Sequence, residues 1–154
     1  MYDIEKIRRN SEPVSGYLSS IGAEHESFAR RLEEYRLDGK VVEALKRHAG
    51  RAVVVVFSAE WCPDCARNVP VLGLISEATG LEVRVFGHLK RDPLNPKARW
   101  RIPPSPTEIK EFDVSKIPHI AVLDTEGAVI GEIIENPPEG KSLEEALLHV
   151  LEGS

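Results

Sequence analysis

The apolar positions change their period along the chain, and those changes outline its elements. Ile4 and Ile7 open a short stretch of helical spacing that Pro13 and Gly16 break. From about Glu24 the spacing of Phe28, Leu32 and Tyr35 predicts a helix, which Asp38-Gly39 ends. Val41, Val42 and Leu45 share one face of a second helix, with Gly50 placed as its C-terminal cap. The run Ala52-Val53-Val54-Val55-Val56-Phe57 does not alternate. A continuous β-branched stretch of this kind suits a central strand covered on both faces.

Beyond that strand, Val69, Leu72 and Ile75 predict a helix ending near Thr79-Gly80, with Pro70 as a kink. Leu81 to Phe86 reads as a second strand, and residues 88–104 as a long loop punctuated by prolines. Ser105-Pro106-Thr107-Glu108 has the form of a capping box with proline at the first helical position, opening a short helix that buries Ile109 and Phe112. His119 to Leu123 is expected as a strand, Thr125-Glu126-Gly127 as a turn, and Ala128 to Ile134 as the antiparallel partner. Ser142-Leu143-Glu144-Glu145 forms another capping box, before a helix with Leu143, Leu147 and Leu151 on one face. The predicted order is β-α-β-α-β-β-α behind a helical N-terminal segment.

Composition narrows the class. A chain of 154 residues suits one domain with a core of its own, and 42% hydrophobic with 29% charged residues belongs to a soluble globular protein. A net charge of −5 argues against nucleic acid as a partner, since backbone binding needs clustered cations. No apolar run reaches the ~18 residues that span a bilayer, so no membrane association is expected. Met1-Tyr2-Asp3-Ile4-Glu5 lacks a signal-peptide pattern, which makes the cytoplasm the expected location. Glutamine is absent, asparagine occurs four times and proline eleven, a balance met in heat-adapted proteins.

The chemistry concentrates in Phe57 to Leu72, FSAEWCPDCARNVPVL, which holds both cysteines of the chain. In a cytosolic setting a CxxC pair is a redox pair, half a metal site or inert, and small thiols keep idle disulfides reduced. A tetrahedral zinc site would need two further ligands, and the five histidines form no H-x(3–5)-H pair. If Cys62 caps the helix, Pro63 falls where a missing N–H costs nothing. Cys62 then faces unpaired N–H groups and the positive end of the helix dipole, both of which favour a thiolate. Moving a thiol pKa from ~8.5 to ~7 raises the thiolate fraction at neutral pH from a few per cent to about half, for ~2 kcal/mol. Cys65, one turn in, is expected to be more buried and placed to attack a mixed disulfide on Cys62. Asp64 lies close enough to the thiolate to oppose the dipole by on the order of 1 kcal/mol. Asp64 is also a candidate to take the Cys65 proton.

Trp61-Cys62-Pro63-Asp64-Cys65 after a β-branched strand, with "KIPHIAVLD" about fifty residues later, resembles the thioredoxin family, and within it the thioredoxin-like proteins with a Trp-Cys-Pro-Asp-Cys motif. The resemblance covers roughly residues 40–152. It implies an α/β thioredoxin fold, a mixed sheet of about four strands flanked by helices, over residues 40–154, with residues 1–39 as a helical extension packed on it. It further implies a thiol–disulfide oxidoreductase without bound cofactor or metal. Cys62 would be the nucleophile and Cys65 the resolving thiol, with Trp61, Pro63 and Asp64 tuning the couple. Pro118 would be the cis-proline facing the cysteines, and Ile117 with Trp61 would contact the substrate. Disulfide-containing proteins or small molecules would be its substrates, and a thioredoxin-reductase-like protein its electron donor.

The sequence also departs from the family. The buried Asp usual on the strand before the motif is Val56 here, and the Lys that partners it corresponds to about Val85. Losing both charges together fits burial physics, because either alone would be costly. The glycine usual after the last strand aligns near Glu135-Asn136. His119 is read as a structural hydrogen-bonder on a strand, and Glu60 as a solvated charge. The loop 88–104 carries Lys90, Arg91, Lys97, Arg99 and Arg101 against Asp92, with Trp100 among them. That loop or the helical extension would be the recognition surface if the domain were a non-catalytic protein-binding module instead of an enzyme.

Overall fold

The computed structural model describes residues 1–91, Leu94, Trp100 and residues 105–153. Asp92, Lys97, Arg99 and Arg101 of the predicted basic loop lie outside the described residues. In chain order the elements are α1 (Ile4–Asn10), β1 (Glu12–Pro13), α2 (Val14–Ile21), α3 (Glu26–Glu34), α4 (Gly39–Lys46), β2 (Ala52–Phe57), α5 (Pro63–Thr79), β3 (Glu82–Phe86), α6 (Glu108–Glu111), β4 (His119–Asp124), β5 (Val129–Ile134) and α7 (Leu143–Glu152).

The described strands form one mixed sheet in the order β1-β3-β2-β4-β5. β2 pairs parallel with β3 and antiparallel with β4, so the valine run lies at the centre, and every residue of β2 is buried. That burial on both faces is why the run does not alternate. Val56 pairs with Val85 across the β2–β3 ladder, so the two apolar replacements meet side by side. The fifth strand, absent from the sequence expectation, is the two-residue β1, which adds Glu12 and Pro13 to the β3 edge. Proline tolerates that place because an edge strand can spare a donor.

Ile7, Val14, Tyr17, Ile21 and Phe28 of the first helices are buried in the same core as β2 and α5. Pro13 stands between α1 and α2, as the break in helical spacing implies, whereas Gly16 lies inside α2 and does not end it. α1 packs on α6: Tyr2 stacks on Phe112 with ring centroids 3.9 Å apart, and Asn10 donates to the buried carboxylate of Glu108 at 2.7 Å.

Two caps differ from expectation. α4 ends at Lys46, and Gly50 sits inside a following 3-10 turn, Ala49–Arg51, with no left-handed backbone. The Ser105 capping box does not form. α6 starts from Thr107 without a side-chain cap, because the Glu108 carboxylate is engaged by Asn10 and the Thr107 hydroxyl. The Ser142 capping box forms in both directions, with Glu145 N–H donating to Ser142 Oγ at 3.1 Å and Ser142 N–H to Glu145 Oε1 at 2.8 Å.

Candidate active site

The end of β2 delivers the chain to the sheet's carboxyl edge, and the motif spans the step from strand to helix. Cys62 has extended backbone and is the N-cap of α5, with Pro63 as the first helical residue. Its Sγ accepts the Cys65 backbone N–H at 3.3 Å. The helix therefore hands its free donors to this sulfur. Cys62 is 6% exposed and Cys65 fully buried, and both are free thiols.

The two thiols are pushed in opposite directions. The Cys65 side chain, then the Cys65 and Asp64 backbone N–H groups, stabilise the Cys62 thiolate and bring its pKa down to about 7. Burial and the Asp64 charge act against that shift, the latter with the sign anticipated from sequence. Cys65 is held protonated, first by burial and then by its hydrogen bond to Cys62. An acidic sulfur near the surface and a neutral one beneath it form the arrangement that stepwise disulfide exchange needs.

Cys62 also faces the loop before β4. The Ile117-Pro118 peptide is cis, and Cys62 Sγ lies 3.6 Å from the Ile117 carbonyl oxygen. The Pro118 carbonyl accepts the Glu135 N–H at 2.8 Å, tying this loop to the end of β5. Glu135, where the family's glycine aligns, has φ +68°, a left-handed conformation that glycine adopts without strain. Asn68 of α5 donates to the Glu135 carbonyl at 2.8 Å and to Asn136 Oδ1 at 3.0 Å, closing this side of the site.

Trp61 is half-exposed and forms the opposite wall. Its indole N–H donates to the Leu89 carbonyl at 3.0 Å, and its ring stacks on Trp100 at 5.9 Å. Trp100 is buried, and its own N–H donates to the Ser115 carbonyl at 3.2 Å. The Arg91 guanidinium lies 5.9 Å from the Trp61 ring and 5.6 Å from the Trp100 ring, within cation–π range. Asp64 is a third exposed and 3.7 Å from Arg67. His119 is buried and its Nε2 is 2.6 Å from Glu132 Oε2, which fits the structural reading of that residue.

One group of residues escaped the sequence reading. Ser58 and Tyr17 are fully buried behind Cys65, with Tyr17 Oη and Ser58 Oγ 2.9 Å apart. Glu60 is not a solvated charge: its Oε1 is buried, and no aligned donor reaches it although His88 Nδ1 is in ion-pair contact. A hydroxyl directly after a strand of apolar residues is the only local signal for this cluster. Its link to Tyr17, forty-one positions earlier, is tertiary.

No curated protein matches the chain. Among solved structures, an HIV epitope scaffold superposes with a TM-score of 0.71 at 20% identity, covering 99% of both chains. A protein of unknown function from Pseudomonas aeruginosa superposes with a TM-score of 0.67 at 21% identity, again over 99% of each chain. Both likenesses concern the fold alone. The thioredoxin family model matches residues 12–148, and with that span, the mixed sheet and the paired thiols at the head of α5, this chain belongs to the thioredoxin family.

Proposed function

We propose that the protein is a thiol–disulfide oxidoreductase that cycles Cys62 and Cys65 between dithiol and disulfide. The observation that carries this reading is the Cys62 sulfur itself. It caps α5, accepts the Cys65 N–H and has a pKa of about 7, against an ordinary value of 9.0.

The Cys62 thiolate attacks a substrate disulfide, forming one S–S bond as another breaks and releasing a substrate thiolate. Cys65 then loses its proton and attacks the Cys62 sulfur. The second substrate thiolate leaves, and the two electrons that reduce the substrate come from the Cys62 and Cys65 thiols, which end as a disulfide. Ile117 and Pro118 present backbone to the substrate on one side, and Trp61 presents an aromatic wall on the other. Asp64 and Pro63 set how far the helix terminus can acidify Cys62.

Substrates in this reading are disulfide-containing proteins or small molecules. A thioredoxin-reductase-like protein would return the electrons in a reducing cytoplasm. Mixed-disulfide trapping tests it. The Cys65→Ser protein should accumulate a covalent adduct with an oxidised test peptide through Cys62, reversed by dithiothreitol. No adduct from a folded Cys65→Ser protein would leave the fold as a non-catalytic binding module.

A further inference from the structure

Resolution of the mixed disulfide asks Cys65 to give up a proton while fully buried. The family's usual carboxylate beneath the cysteines is Val56 here, and its register partner is Val85. Asp64 sits at the protein surface, one third exposed and beside Arg67. Another route leads away from Cys65, on its buried side.

We propose that Ser58, Tyr17 and Glu60 form a proton relay that deprotonates Cys65 during resolution, with Glu60 as the acceptor and His88 holding it at the surface. This rests on the thiol–disulfide reading of the site above.

The groups follow one another through the core. Against the larger effect of burial, the Ala59 backbone N–H and the Ser58 side chain act to lower the Cys65 pKa, which sets both beside that thiol. Ser58 Oγ is 2.9 Å from Tyr17 Oη, and either oxygen can donate. The Tyr17 hydroxyl interacts in turn with the Glu60 carboxylate. Both hydroxyls are excluded from solvent. Glu60 Oε1 is buried without an aligned donor, although buried carboxylate oxygens are ordinarily satisfied. His88 brings the chain to solvent, half-exposed, its Nδ1 against Glu60 and its Nε2 3.8 Å from Glu12. Its backbone has φ +62°, so the ring is aimed from a left-handed turn.

The ring of Tyr17 is fixed in place. Gly87 lies against it so closely that a Cβ there would fall 2.1 Å from Cε1, and the His88 ring packs edge-on at 5.4 Å. Burial raises the Tyr17 pKa, so the hydroxyl passes a proton along without ionising on its own. In the step, Cys65 Sγ–H gives its proton to Ser58 Oγ as the Ser58 proton moves to Tyr17 Oη and the Tyr17 proton to Glu60. The Cys65 thiolate forms its bond to Cys62 Sγ, the mixed disulfide breaks, and the leaving thiolate takes a proton from water. The charged or titratable groups around Cys65 on this route are Cys62, Asp64, Tyr17, Glu60, His88 and Glu12.

A stopped-flow experiment with reduced protein in excess over dithionitrobenzoate separates the steps. The first thionitrobenzoate released reports Cys62 attack, and the second reports Cys65 resolution. Cys65→Ser should release only the first. If the wild-type protein gives no first release faster than an unfolded thiol, the thiol–disulfide reading fails, whatever the relay does. With both releases present, Tyr17→Phe and Glu60→Gln should each slow the second about tenfold or more and leave the first phase in place. In those variants the second phase should climb with hydroxide across pH 7–9, where the wild-type rate is nearly flat, and Glu60→Asp should restore part of it. Unchanged second phases, equal slowing of both phases, or slowing without the altered pH profile would each overturn the relay. Should Tyr17→Phe fail to fold, the outer Glu60 variants decide alone.

Discussion

The mouth and the floor of the site hold the same chemical group in two different states. At the mouth, Cys62 receives a helix's free N–H donors, lies beside the Ile117 carbonyl and is flanked by half-exposed Trp61. At the floor, Cys65 is surrounded by buried side chains and two hydroxyl-bearing residues. Three positions of sequence separate an acidified thiol from one held protonated. The difference comes from the hydrogen bond between the two thiols, the N–H donors of the helix and burial, while the Asp64 carboxylate opposes the shift.

Differential alkylation is the most direct way to break that comparison. In the reduced protein at pH 7–8, iodoacetamide should label Cys62 at least about a hundredfold faster than Cys65, read by peptide mass spectrometry. The Cys62 rate should rise with pH and level off above about 7. Equal labelling of the two in folded protein would erase the distinction between mouth and floor. Stability should carry the same signature with opposite signs. Between the Cys62 folded pKa of about 7 and the ordinary 9.0, the unfolded chain holds a proton that the folded one has released, so the Cys62 contribution grows with pH. It is complete above 9.0 and lost as pH falls through 7. Above 9.0 the unfolded Cys65 ionises while the folded one does not, and stability falls. Denaturant midpoints of the reduced Cys62→Ser and Cys65→Ser proteins should separate the two limbs.

The floor can be disturbed without touching a thiol. Gly87→Ala would set a methyl group into the Tyr17 ring, with Cε1 and Cδ1 at 2.1 and 2.6 Å from the new carbon. Tyr17 is fully buried and cannot swing clear, so the variant should lose about 1–3 kcal/mol, read as a lowered denaturant midpoint. An unchanged midpoint would mean that the floor packs more loosely than its distances indicate.

What the sequence made legible follows the same division. The mouth is built from local rules. A β-branched run makes the central strand, proline fits the first turn after a cysteine cap, and an Ile-Pro step precedes another strand. The floor is built by contacts between residues far apart in the chain, which no window of residues contains. Tyr17 comes from a helix that the prolines and glycines of the N-terminal segment disguise, and Glu60 reads as any surface carboxylate. The same cause explains the missing cap of α6. Glu108 lies three positions from Ser105, but Asn10 reaches its carboxylate from ninety-eight positions away. β1 escaped because two residues, one a proline, carry no strand period at all.

The smallest expected effect concerns the negative charge of Asp64 at the mouth. Asp64 follows Pro63 in the first turn of α5, where a carboxylate suits the helix dipole, yet its field raises the Cys62 pKa. Two features weaken that field: partial exposure, and Arg67 at 3.7 Å, which offsets part of the charge. Asp64→Asn keeps the shape and removes the charge, so it should lower the Cys62 pKa by about half a unit or less. The pH dependence of thiolate absorbance at 240 nm, followed in the Cys65→Ser background, reads this shift directly. A rise in pKa would mean that the Asp64 side chain acts mainly by ordering the first turn, and the donors of α5, not the balance of charges, would then set the acidity of Cys62.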